Sequence, residues 1–307
     1  MILCCGEALI DMLPRQSQAG EPAFAPYPGG AVFNTAIALA RLEREVSFFT
    51  GLSRDLFGKM LEDSLAGSGV GTDLAKRSDR PTTLALVALV DGQARYLFYD
   101  ENTAGRMLTE ADLPELDDTV TAAFFGGISL MVEPCGSIYE ALMLRESERR
   151  LTMIDPNIRP SFISDEAAYR ARLDRLIPAA DIVKLSDEDL LWLMGDGEIA
   201  EKAADMVALG PRLVCVTRGS EGALGVTRHG QYSVPARKVT VADTVGAGDT
   251  FNAGILASLD AAGCLSEAGM DALTEDQVTD ALTLAVKAAA VTVSREGANP
   301  PRMDELD

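Results

Sequence analysis

Histidine is almost missing from this sequence: His229 stands alone among 307 residues. That scarcity excludes an imidazole-based zinc centre and a Ser-His-Asp triad, and His229 itself lies in a polar TRHGQ stretch that reads as a surface turn. Proton transfer therefore falls to a carboxylate or a lysine. Basic residues are short as well, with 27 Lys and Arg against 47 Asp and Glu, a net charge of −20. The acids are scattered in clusters such as Asp187-Glu188-Asp189, which reads as a solubility device and disfavours nucleic acid or an anionic membrane surface as partner. No apolar run approaches the roughly 20 residues of a membrane helix. The N-terminus, MILCCGEALID, has neither the basic region nor the long apolar stretch of a leader. The five cysteines (Cys4, Cys5, Cys135, Cys215 and Cys264) lack redox or zinc spacing and mostly lie in apolar runs such as LVCV. Buried, reduced thiols in a cytoplasmic chain are expected.

What the sequence does contain is alternation. Apolar β-rich runs, ILCCGEAL (2–9), VSFF (46–49), AAFFGG (122–127), LTMIDP (151–156), DIVKLS (181–186) and RLVCVT (212–217), are interleaved with segments of helical period. The helices are expected over 31–42, 55–69, 137–150, 198–210, 247–263 and 274–294. This is the pattern of an α/β protein with a mostly parallel central sheet flanked by helices. One segment departs from it: TTLALVALV-DG-QARYLFYD (82–100) is two β-rich runs around Asp91-Gly92, which suits a tight hairpin turn. Its aromatic residues Tyr96, Phe98 and Tyr99 suit a lid over a ligand, although a plain sheet edge would look the same.

Two nucleotide motifs are imitated and fail. Gly58-Lys59 has Ser53 where the first Walker glycine belongs and Met60 where Ser or Thr would bind magnesium. Gly246 and Gly248 begin a dinucleotide fingerprint whose third glycine falls on Phe251. The stretch DTVGAGDTF (243–251) nevertheless places small residues at the start of the helix over 247–263, where free amides and the dipole attract an anion. Asp249 in that first turn could serve the dipole alone, and Asp243 or Thr244 could be a cap. A second acid is redundant for that purpose. An amide cradle with an adjacent carboxylate fits phosphoryl transfer to a hydroxyl, the amides holding the phosphoryl charge and the carboxylate taking the proton.

Asp243-Thr-Val-Gly-Ala-Gly-Asp249 resembles the C-terminal signature of the ribokinase-like (PfkB) sugar kinases, and Gly29-Gly30-Ala31-Val-Phe-Asn34-Thr-Ala36 resembles their N-terminal one. The likeness runs in order from GEALIDM (6–12) to SREGANPP (294–301) and is nearest the fructokinase branch. It implies a three-layer ribokinase-like fold in one domain, 1–307, with a β lid from about 12–28 and 82–106. It also implies an ATP-dependent kinase making fructose 6-phosphate. A 2-keto-3-deoxygluconate kinase or another hexose or ribose kinase is the alternative, and a sugar-binding regulator without catalysis the more distant one.

By that resemblance Asp249 is the general base and Gly246, Ala247 and Gly248 form the anion hole. Asp11, Gly30, Asn34, Phe98, Arg106 and Arg159 would bind or cover the sugar. Lys184, Thr217 and Gly219 would meet the ATP phosphates. Ser186 and Asp189 stand where the family has Asn-x-x-Glu to organise Mg²⁺, the Asp shortening the reach by about one methylene. Asn252, with Val293 and the alanines of the last helix, would line the adenine, although AVKAAAVTV reads equally as a buried helix face. Asp243, Val245, Arg295 and Gly297 would surround a monovalent cation, K⁺, with Pro301 where some members place a serine. The lid is also expected to join two copies as a homodimer.

Overall fold

Unbroken apolar runs make strands that are covered on both faces, and the central strands here are of that kind. In the computed structural model, which describes residues 1–90 and 93–306 with the side chains of 87–96 excepted, the strands are β1 (Ile2–Cys5), β2 (Leu9–Gln16), β3 (Pro22–Gly29), β4 (Val46–Phe49), β5 (Gly51–Ser53), β6 (Lys76–Ser78), β7 (Leu84–Val90), β8 (Gln93–Tyr99), β9 (Ala122–Gly126), β10 (Leu151–Asp155), β11 (Ile182–Ser186), β12 (Leu213–Thr217), β13 (Ala223–Thr227) and β14 (Gly230–Val234). The helices are α1 (Ala31–Arg41), α2 (Leu56–Gly67), α3 (Cys135–Glu146), α4 (Glu166–Ala179), α5 (Asp187–Met194), α6 (Ile199–Val207), α7 (Ala247–Ala261), α8 (Glu267–Asp271) and α9 (Glu275–Val293).

An eight-stranded sheet runs in the order β14-β13-β12-β11-β10-β9-β1-β4, parallel from β4 to β12 and antiparallel at β13 and β14. Successive residues feed two cores. Ile2, Cys4, Phe124, Met153 and Cys215 join a cluster with α1, α2, α7, α8 and α9. Leu3, Cys5, Phe125, Ile154 and Val216 join another with α3, α4, α5 and α6. The expected α/β layering is therefore the one found. Cys4 and Cys5 point to opposite faces, so they cannot act as one ligand pair, and burial pushes both thiols up. All five cysteines are free and buried. Among the described residues no helix is long and apolar enough to cross a membrane.

The expected strand ILCCGEAL is two strands. β1 ends at Cys5, and β2 leaves for a second sheet of order β3-β2-β7-β8. The break falls at Gly6, where a Cβ would lie 2.4 Å from Val32 Cγ2, so the chain can turn beneath α1 only without a side chain. Within the second sheet β7 pairs antiparallel with β8, while the Asp91-Gly92 turn expected between them and the Tyr96 side chain lie outside the described residues. Tyr27, Asp11, Ala85 and Phe98 form one cross-strand row in register, which sets Asp11 and Phe98 on the same face of this sheet.

Candidate active site

Gly246 caps α7 in the left-handed region, φ 78°, and a Cβ there would stand 2.8 Å from Ala298 Cβ. Only glycine serves both demands. The helix ladder opens with Thr250 N donating to Gly246 O, which leaves the preceding amides, those of Gly248 and Asp249, for an anion at the positive end of a 15-residue helix. Behind this cradle the lysine ammonium of β11 comes close: a Cβ on Gly248 would be 3.0 Å from Lys184 Nζ.

Asp249 is 7 % exposed. Burial pushes its carboxyl up to about 7, and the neighbouring charges of Asp155 and Glu7 add to the rise. The Asn34 amide, donating to Asp249 Oδ2 at 2.8 Å, and the Lys184 ammonium oppose it. Thr35 Oγ1 donates to the Asp249 carbonyl at 3.2 Å, so α1 grips the start of α7 at two successive residues. A carboxylate in this state takes a proton readily at neutral pH.

The rest of the predicted sugar side converges on the same edge. Gly30 begins α1 at φ 112° with a Cβ position 2.9 Å from Glu7 O, and Gly29 faces Asp11, whose Oδ2 would be 2.3 Å from a Cβ there. Burial raises the Asp11 carboxyl to about 6. Phe98 meets Phe162 edge to face with ring centroids 4.5 Å apart, so the second sheet touches the turn that follows Arg159. Arg106 is committed: Nη1 donates to Asp100 Oδ2 at 2.9 Å and Nε to the Glu133 carbonyl at 2.8 Å. Arg159 is exposed, donating to its neighbour's Ile158 carbonyl.

On the side expected to meet the nucleotide, Ser186 Oγ accepts from Asp189 N at 3.0 Å and caps α5. Burial, with Asp155 nearby, raises the Asp189 carboxyl. Thr217 pairs in register with Ser186, and Gly219 takes φ 50° in the loop beyond β12. Asn252 departs from expectation. Instead of lining an open adenine wall it is 1 % exposed, its amide donating to Asp155 Oδ2 at 2.7 Å, because its place in the first turns of α7 aims it under the sheet edge. Ala285 and Ala288 of the AVKAAAVTV run are buried against α7, where Gly254 allows a close approach; Val293 at the helix end stays partly exposed. Asp243 bridges the predicted cation loops: Oδ1 accepts from Val245 N at 3.1 Å and Oδ2 from Gly297 N at 3.0 Å. Arg295 is ion-paired with Glu305 at 2.5 Å, leaving its backbone carbonyl as the atom it could contribute.

Two residues escaped the reading of the sequence. Asp155 was passed over in favour of Arg159 in DPNIRP, yet it is 2 % exposed and holds Lys184 at 2.9 Å. Its signal was a carboxylate at the carboxyl end of a buried parallel strand. Glu7 is buried where β1 passes into β2 and accepts from Ala31 N at 2.9 Å and from Ser129 N at 3.3 Å. No spacing rule points to it. The opposite, amino ends of the strands border a cavity of about 570 Å³ lined by Asp118, Arg149, Arg150 and Arg212, and none of the predicted site residues reaches it.

The family described as pfkB family carbohydrate kinase matches residues 1–305. A fructokinase from Rhizobium leguminosarum bv. trifolii is 55 % identical over 259 residues, 84 % of this chain and 79 % of that protein. Fructokinase-1 of Oryza sativa subsp. japonica is 32 % identical over 100 % of this chain and 96 % of its own. Among solved structures, a Xylella fastidiosa fructokinase with bound ATP superposes with a TM-score of 0.90 at 30 % identity, covering 99 % of this chain and 96 % of that one. A Vibrio cholerae O395 fructokinase double mutant, solved with fructose, ADP and a potassium ion, reaches 0.84 at 27 % identity over 97 % and 93 %. A match of that extent shows the family: the chain belongs to the pfkB family of carbohydrate kinases.

Proposed function

We propose that the chain transfers the γ-phosphoryl group of ATP to fructose, giving fructose 6-phosphate, with Asp249 as general base. The observation that carries this reading is the buried Asp249 carboxyl, raised to about 7 and hydrogen-bonded to Asn34, at the mouth of a glycine-lined helix N-terminus. The 55 % identity to a fructokinase supports the choice of sugar.

Bound ATP supplies the phosphoryl group. Asp11, Gly30 and Asn34 hold the sugar hydroxyls, with Phe98 and Arg159 closing over them and Arg106 bracing the lid from its base. Asp249 takes the proton of the attacking hydroxyl. In the loop that Gly246 and Ala247 shape, the free amides of Gly248 and Asp249, with the Lys184 ammonium behind them, hold the charge that develops on the phosphoryl oxygens; the Ala247 amide is spent on the Thr244 carbonyl at 3.4 Å. Thr217 and Gly219 meet the remaining phosphates. A lid of 12–28 and 82–106 over a single domain excludes water, so the sugar and not solvent is phosphorylated.

Among the described residues no group of three or more His, Cys, Asp or Glu could hold a metal alone. That fits Mg²⁺, which keeps its waters and takes few carboxylates beside phosphate oxygens. Asp189, near Ser186, is the residue that would meet its shell. Asp243, Val245, Arg295 and Gly297 would surround K⁺, the Asp243 carboxylate already tying the Val245 and Gly297 loops together. Free, buried cysteines suit a cytoplasmic enzyme, and Leu97 and Tyr99, 54 % and 60 % exposed on the sheet face away from Phe98, suit a homodimer built through the lid.

ADP release measured across fructose, 2-keto-3-deoxygluconate, ribose, tagatose and inosine tests the assignment. Fructose should give the highest kcat/KM. A preference for ketodeoxygluconate would overturn the sugar assignment; of the two arginines that could meet its carboxylate, Arg106 is spent on Asp100 and Glu133, which leaves Arg159.

A further inference from the structure

Below the anion hole lies a buried charge cluster that this mechanism uses only at its tip. Asp155 Oδ2 accepts from Lys184 Nζ at 2.9 Å and from Asn252 Nδ2 at 2.7 Å, while its Oδ1 accepts from Asn157 N at 3.1 Å. The three side chains come from β10, β11 and α7 and are 2 %, 4 % and 1 % exposed. Asn157 takes φ 45°, so the backbone turn after β10 holds the carboxylate from its other side. The Asn252 amide points its nitrogen at Asp155 although Oδ1 is then buried without a partner among the described residues, which makes Asp155 the group that sets its orientation.

We propose that Asp155 is a positioning residue that holds Lys184 and Asn252 as one rigid unit beneath Gly248, and so keeps the ammonium at the anion hole and off Asp249. The proposal rests on the kinase reading above. A lysine this buried needs a carboxylate partner. Asp155 holds it, Asp249 and Asp189 lie near, and pairing with Asp155 or with Asp249 has opposite consequences. Paired with Asp249, the ammonium would hold the base ionised and poorly basic and would leave the phosphoryl site. Paired with Asp155, it stays fixed 3.0 Å from where a Gly248 Cβ would be, and Asp249, faced by Asn34, Asp155, Lys184 and Glu7, keeps its raised affinity for a proton. Preorganisation of this sort is sensitive: a displacement of 1 Å is enough to cost about 10² in rate.

The test is a double-mutant cycle of Asp155→Asn and Lys184→Met, using whichever sugar the wild type turns over. Asp155→Asn should lower kcat by about 10² while the sugar KM stays within about threefold, and the acid limb of its pH profile should move to lower pH, because the Asp155 charge that raises the Asp249 carboxyl is gone and the ammonium shifts to Asp249. The double variant should be no slower than Lys184→Met, since the two residues act as one unit. Losses that multiply, or an Asp155→Asn enzyme with wild-type kcat and limb, would overturn the proposal. If Asp155→Asn alone does not fold, the double variant, which leaves no unpaired charge, is compared with Lys184→Met: equal rates support the unit, and a further tenfold loss sinks it. If the wild type shows no sugar-dependent turnover, the kinase reading is what fails. Calorimetry with Mg·ATP on the same proteins then decides this point, equal weakening in both single variants and the double supporting it and additive weakening refuting it.

Discussion

At Asp249 a carboxyl that would ionise near 3.8 in the unfolded chain instead titrates near 7, because burial outweighs the one amide and one ammonium that favour its charge. The folded protein therefore keeps a proton that the unfolded chain releases. Stability from this group is full below about 4 and is lost as pH rises through about 7. Two outcomes follow at the same atom. Asp249→Asn should lower kcat by about 10² to 10⁴ and raise the thermal midpoint at pH 8, which paired kinetics and melting curves would show; an unchanged rate would refute the base assignment. In the wild type kcat should climb through an apparent pKa near 7, and Asn34→Ala, which removes the donor that lowers it, should move that limb to higher pH. Asp11, raised to about 6, should steepen the fall of kcat/KM below that value.

Elements bring these residues within reach of one another. The β2 register puts Asp11 in one row with Phe98 of β8, and Phe98 closes on Phe162 of the main body. Phe98→Ala should therefore raise the sugar KM by about tenfold, an aromatic contact of this kind being worth about 0.5–1.5 kcal/mol, and lower kcat less; a KM left unchanged in steady-state assays would separate this contact from sugar binding. The strands with apolar runs over 46–49, 122–126, 151–155, 182–186 and 213–217 were legible because burial on both faces leaves no polar alternation to confuse. Other elements were not. α4 mixes five charged residues and four alanines among its 14, with its large apolar side chains confined to Tyr169, Leu173, Leu176 and Ile177. α5 is a short helix with an acidic first turn that directly continues a strand, and β13 and the edge strand β14 are short and contain glycine.

The whole molecule carries a formal charge of −20, yet Leu97 and Tyr99 stand exposed on one face of the second sheet. Sedimentation velocity should find a dimer, and Leu97→Glu with Tyr99→Glu should divide it into monomers while the fold, read by circular dichroism, is retained. A wild type that sediments as a monomer would remove the lid interface. The sequence by itself determined the layered α/β class, the anion-seeking loop and Asp249 as the carboxylate beside it, because those depend on local amides, helix dipoles and the period of apolar residues. Glu7 and Asp155 were decided only by the tertiary structure. Their chemistry depends on partners 24 to 122 residues away, and no local pattern encodes which buried carboxylate an ammonium or a helix end will meet.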